Sequence, residues 1–213
     1  MAWLNRLSSG IRCSTYTRHR IPFLHFCNSS CGKIPGVMTN RCSIKRVQSP
    51  EELEEFKRLA LAYLDWLSED LHFQGVDDEL TTLPGVYAES NKGVMLLASI
   101  PGDYDVAVGT VAIRPLAGKQ RDGIDEINSI NVDQICELKR LFVDPEYQKN
   151  GVGRQLVLEA MSQARGLGYK AMVLDTLKRL EAANRMYYSL GFENCIDYSH
   201  CPLDEPLHFF IEL

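Results

Sequence analysis

Two apolar periods alternate along residues 43–213, and the switches between them predict the elements. Ser43–Gln48 alternates apolar with polar and reads as a first strand. Leu53, Phe56, Leu59, Ala60, Tyr63, Leu64 and Leu67 then recur at three- and four-residue spacing, which is the stripe of an amphipathic helix. Its start is spelled out by Ser49 as N-cap, Pro50 in the first helical position and Glu52 closing a capping box. A second short helix is predicted within 68–83, ended by Pro84-Gly85. Residues 93–100 and 105–113 read as strands joined by a hairpin turn at Pro101-Gly102-Asp103. Gly109 inside the second marks a bulge or a close approach.

The stretch CELKRLFVDPEYQKNGVG, from Cys136 to Gly153, organises the rest. Residues 136–143 read as a buried strand, stopped by Asp144-Pro145 because proline offers no N–H to a ladder. Simple alternation places Glu137, Lys139, Leu141 and Val143 on one side, with Leu138, Arg140 and Phe142 on the other. A loop follows, then an amphipathic helix over 151–167. Residues 171–176 predict a strand parallel to the first, reached by a right-handed crossover. A helix over 180–190 ends at Gly191, and strands over 192–195 and 207–212 close the domain. The polar stretch 119–133 is long for a hairpin loop and is expected to be an ornament or a lip on a cleft.

Glycines where a loop opens a helix leave backbone N–H groups free at the positive end of the helix dipole, which is an anion site. Two phosphate-loop patterns fail here. A nucleotide-hydrolase loop needs lysine and a hydroxyl residue after its last glycine, but Arg154-Gln155 follow Gly153. A dinucleotide fingerprint needs a third glycine where Leu156 stands. What remains is Q-x-x-G-x-G after a strand, with KRLFVDPEY directly upstream and YYSLGF in the later helix.

This combination resembles the GNAT superfamily of acetyl-CoA-dependent N-acetyltransferases, and within it a compact, bacterial-type subgroup of stand-alone enzymes. YLDWL, DDELTTLPGVYA and LDTL add to the likeness, which covers residues 44–213. The resemblance implies an α/β (α+β) fold. Its mixed central sheet would have six to seven strands, helices on both faces, and a splay between the two central parallel strands. It implies acetyl-CoA as co-substrate, held by Leu141, Phe142 and Val143 of the strand and by Gln148, Lys149, Asn150, Gly151, Val152, Gly153 and Arg154 of the loop. Asn184 and Tyr187 would touch the cofactor arm. Glu137 would be the general base and Tyr187 the general acid toward the leaving thiolate. His72, Phe73, Gln74 and Asp175 are candidates for acceptor contact, Asp175 equally for capping the following helix. No metal is expected. The reaction implied is acetyl transfer to a primary amine of a small molecule. Acetylation of protein lysines or N-termini, and a silent acyl-CoA sensor, stand as alternatives.

Composition adds an asymmetry. The net charge is −5, yet residues 1–50 hold eight Lys/Arg and no acid. A basic, Ser- and Arg-rich extension over 1–42 ahead of an acidic domain over 43–213 is similar to a mitochondrial transit peptide. The alternatives are a tail without an address, in a cytoplasmic protein, or a second start at Met38. The acidic domain suggests steering of cationic amines. Seven cysteines, without a C-x-x-C pair, suggest a reducing compartment, with Cys136 a buried structural thiol. No run of 18 apolar residues predicts a membrane span. A monomer or homodimer is expected, with no nucleic-acid partner.

Overall fold

The computed structural model describes residues 42–69, 75–100, 106–116, 126–199 and 201–213. The basic extension up to residue 41, the acceptor candidates His72, Phe73 and Gln74, and the turn at 101–103 lie outside the described residues.

Nine strands form among the described residues, seven of them in one mixed sheet. These are β1 (Ser43–Arg46), β2 (Val94–Ile100), β3 (Val106–Pro115), β6 (Ile135–Val143), β7 (Ala171–Leu177), β8 (Glu193–Asn194) and β9 (Pro206–Glu212). Their spatial order is β1-β2-β3-β6-β7-β9-β8. Only β6 and β7 run parallel among these neighbours, as the crossover between them requires. β4 (Glu126–Ile127) and β5 (Ile130–Asn131) make a separate small hairpin inside the polar stretch.

Helices cover both faces. α1 (Pro50–Leu67) begins with the expected capping box, Ser49 Oγ accepting from the Glu52 N–H while the Glu52 carboxylate accepts from the Ser49 N–H. It buries Phe56, Leu59, Ala60 and Leu67, together with α2 (Val76–Thr81), against Met95, Leu97, Ala112 and Phe142. Each of the buried Phe, Leu and Met side chains contributes roughly 1.5–3 kcal/mol. α3 (Val152–Gly166) and α4 (Glu181–Ser189) share the opposite cluster, where Leu156, Val157, Ala160 and Tyr187 meet Leu96, Val111, Cys136, Leu138 and Leu174.

Simple alternation fails in β6. Lys139 pairs with Ala112 and Phe142 with Thr110, so two residues of β6, 140 and 141, face one residue of β3. Arg140 takes the extra place in the left-handed region, with φ 56°. A bulge of this kind shifts the side-chain phase by one. Leu138, Leu141 and Val143 therefore all pack on the α3 side, whereas Phe142 joins the α1 side. The expected grouping of Phe142 with Leu138 is corrected accordingly. Gly109 is a close approach: a Cβ there would lie 3.0 Å from the Phe142 carbonyl oxygen.

Candidate active site

The bulge sits where the sheet forks. β6 and β7 pair only from Ile135–Ala171 to Glu137–Val173, while β7 stays paired with β9 along its whole length. Beyond Glu137 the edge of β6 facing β7 has no strand partner among the described residues. A cleft of about 700 Å³ opens there, bordered by Leu138–Val143 on one side and Leu174–Leu177 on the other. That size falls among small-molecule sites, about 300–1,000 Å³. The cleft is bordered by residues from both faces of the sheet, Val152 and Met186 from one and Tyr63 and Leu180 from the other.

At one end the cleft meets the start of α3. Here the two helices differ in a way that matters. The first N–H groups of α1 are capped by side chains; those of α3 are not, because its N-cap is Gly151, without a side-chain hydrogen bond. Gly151 has φ 80° and Lys149 φ 64°, which turns the loop back on itself. A Cβ on Gly151 would meet nothing within 4 Å, so the space above the backbone is open. Lys149 and Arg154 border the same end. Uncapped amides, a helix dipole and two cations fit an anion such as a diphosphate. Gln148 is used locally: its Nε2 donates to the Val143 carbonyl at 2.9 Å and ties the loop to the end of β6. Asn150 Nδ2 donates to the Tyr147 carbonyl on the exposed side, and Asn150 does not border the cleft.

Tyr187 borders the cleft and is buried against Phe192 and Phe209, each ring centroid 5.7 Å away. Burial raises its phenol well above the ordinary value, with Tyr63 and Asp175 adding to the effect, so it keeps its proton at neutral pH. Its neighbour Tyr188 is half exposed and donates to Asn194 Oδ1. Asn184 stands apart from the expected cofactor contact. Its Nδ2 donates to the Leu177 and Lys178 carbonyls at 3.0 and 3.2 Å, fastening α4 to the end of β7, and it does not border the cleft.

The carboxylates also separate. Glu137 is fully buried and outside the cleft lining. Asp175 borders the cleft and bonds Lys139, not the start of α4, whose N-cap is Leu180; its expected capping role is thereby corrected. The two acids belong to one buried chain of alternating charge. Arg140 Nε lies 2.7 Å from Glu79 Oε1, Glu79 Oε2 3.4 Å from Arg114 Nη1, and Arg114 Nε 2.9 Å from Glu137 Oε2. Lys139 Nζ then stands 3.7 Å from Glu137 and 2.8 Å from Asp175. Burying six charges is tolerable because each has an opposite neighbour. Arg114 and Arg179 carried no sequence signal; Tyr63, Trp66 and Glu79 stood in stretches that resemble the family, YLDWL and DDELTTLPGVYA, but without a role at the site. Cys136 is the inert thiol expected, its S–H directed at the Ala171 carbonyl and its pKa raised by burial.

A sheet forked beside an uncapped glycine loop suits an acyl carrier that bears phosphate. The chain belongs to the acetyltransferase (GNAT) family, whose model matches residues 57–192. An uncharacterized N-acetyltransferase of Schizosaccharomyces pombe is 36% identical over 171 residues, covering 80% of this chain and 94% of its own. The uncharacterized N-acetyltransferase YjgM of Escherichia coli is 31% identical over 134 residues, covering 62% and 70%. Among solved structures, an acetyltransferase of Salmonella typhimurium with its cofactor acetyl-CoA superposes with a TM-score of 0.56 at 18% identity, covering 82% of this chain and 94% of that one. The protein is thus an N-acetyltransferase, and no cluster able to hold a metal ion occurs among the described residues.

Proposed function

We propose that the protein transfers an acetyl group directly from acetyl-CoA to a primary amine of a small molecule, within the fork between β6 and β7. The observation that carries this reading is the fork itself: an unpaired strand edge running up to an uncapped helix N-terminus. The diphosphate would rest on the amides of Gly151–Arg154, with Lys149 and Arg154 beside it, and the arm would lie along Leu141–Val143. When bound, acetyl-CoA supplies the thioester carbonyl that the amine attacks.

The chain's own groups manage protons. An alkylammonium loses two protons on becoming an amide; one goes to the departing thiolate and the other to solvent. Asp175, a carboxylate bordering the cleft, is placed to take a proton from the amine, directly or through water. Glu137 stands one step behind, joined to Asp175 through Lys139, and acts as a positioning residue in place of the expected base. Tyr187, which stays protonated, donates to the departing sulfur.

Direct transfer requires both substrates in the cleft together. Initial-rate measurements of thiol release, varying acetyl-CoA and amine, should give intersecting double-reciprocal lines. Parallel lines would show an acetylated enzyme and contradict direct transfer.

A further inference from the structure

Three aromatic rings gather on the α1 side of the cleft. Tyr63 and Trp66 stand three residues apart on α1, and Phe142 comes from β6. The ring of Phe142 lies 6.0 Å from that of Tyr63 and 6.3 Å from that of Trp66, both tilted. All three border the cleft, and Trp66 is 46% exposed, an unusual state for an indole beside a core. The Arg140 bulge makes this cluster possible: without the phase shift Phe142 would face α3. Asp175 borders the same cleft as the three rings, from β7.

Charge at this end is balanced. Lys139 is matched by Asp175 and Glu137, Arg140 by Glu79, and Arg179 by Glu69 at 2.7 Å. Among the described residues no surplus of carboxylates stands here to bind an acceptor with several positive charges. Asp175 offers one anionic contact, next to a face of three rings.

From this we infer that the acceptor is a primary amine with a single positive charge on an aromatic or ring-sized apolar body. The amine meets Asp175 and the body lies against Trp66, Tyr63 and Phe142. Aromatic contacts and apolar burial together favour such a body over a two-carbon chain. The inference rests on the amine-transfer reading above and narrows it.

The test uses the full chain with acetyl-CoA and three acceptors: 2-phenylethylamine, ethylamine and spermidine. We expect kcat/KM for 2-phenylethylamine to exceed both others by about tenfold or more, following the size of apolar and aromatic contacts. Trp66→Leu should lower the ratio of 2-phenylethylamine to ethylamine by about fivefold. Independently of turnover, 2-phenylethylamine should quench tryptophan fluorescence saturably in the presence of coenzyme A, and Trp66→Leu should abolish the quench. A preference for spermidine, an unchanged acceptor ratio in Trp66→Leu, or no saturable quench in the wild type would overturn the inference. Thiol release with none of the amines, alongside a saturable quench, would instead overturn the transfer reading.

Discussion

Lys139 Nζ lies 2.8 Å from Asp175 Oδ1, a contact that crosses the fork beyond the last backbone pair of β6 and β7, Glu137 with Val173. Side chains take over here where the ladder stops, and both are nearly buried, at 5% and 9% exposure. Removing one partner takes from the other its near-buried opposite charge at 2.8 Å. Lys139→Met alone is therefore expected to cost about 3–5 kcal/mol of stability, whereas Lys139→Met with Asp175→Leu should cost clearly less than the two single changes added together. Urea unfolding of the four proteins checks this. Additive losses would show that the pair does not hold the fork.

Turnover should separate the two acids. Asp175→Asn is expected to lower kcat by about 10²–10⁴-fold, the range for a proton-transfer group. Glu137→Gln should show itself first in unfolding, because it leaves Arg114 and Lys139 without their shared carboxylate. Tyr187→Phe should lower kcat by at least about tenfold. A Glu137→Gln enzyme as stable as the wild type, yet inactive, would return the role of base to Glu137.

Acid stability should depend on Glu52. Lys45 at 2.9 Å, and next the Gln48 N–H at 2.7 Å, hold its carboxyl down to about 2. A depressed carboxyl contributes its full stability above the ordinary carboxylate pKa and loses it as pH falls toward the folded value. With allowance for screening at this partly exposed site, the contribution is about 1–2 kcal/mol. Melting curves of wild type and Glu52→Gln should thus differ most above pH ~5 and converge near pH ~2. A constant gap across that window would place the effect elsewhere.

Gly93 packs on backbone. A Cβ there would sit 2.5 Å from Cα and the carbonyl carbon of Tyr87, atoms that cannot swing aside. Gly93→Ala is expected to destabilise by about 1–3 kcal/mol, lowering Tm by about 2–4 °C for each kcal/mol. Calorimetry showing no loss would mean that the 85–91 segment yields freely.

Most elements were legible because their signals are local. The period of α1, its cap at Ser49, the stop at Pro145 and the glycines of the loop each act within a few residues. The fork was expected only through family likeness, since strand pairing is not written in either strand alone. The Arg140 bulge left no trace, because a left-handed arginine looks in sequence like any strand residue, and its phase shift misplaced Phe142. The ion chain was hidden for a different reason: Glu79 lies 35 residues from Arg114 and 61 from Arg140. Glu137 and Asn184 matched a pattern by position; in the structure neither borders the cleft, Glu137 being fully buried and Asn184 donating to the Leu177 and Lys178 carbonyls.

In the proposed reaction the amides opening α3 hold the phosphates of the acetyl donor. Calorimetric titration of the wild type and of Gly153→Asp with coenzyme A tests it most directly. A Cβ at Gly153 would have only ordinary contacts, 3.7 Å to Val143, so the fold should survive while the new carboxylate repels the diphosphate. Saturable binding to the wild type is expected, with at least a tenfold weaker Kd in a folded Gly153→Asp protein, about 1.4 kcal/mol. No heat with the wild type, or equal affinity in both, would contradict it.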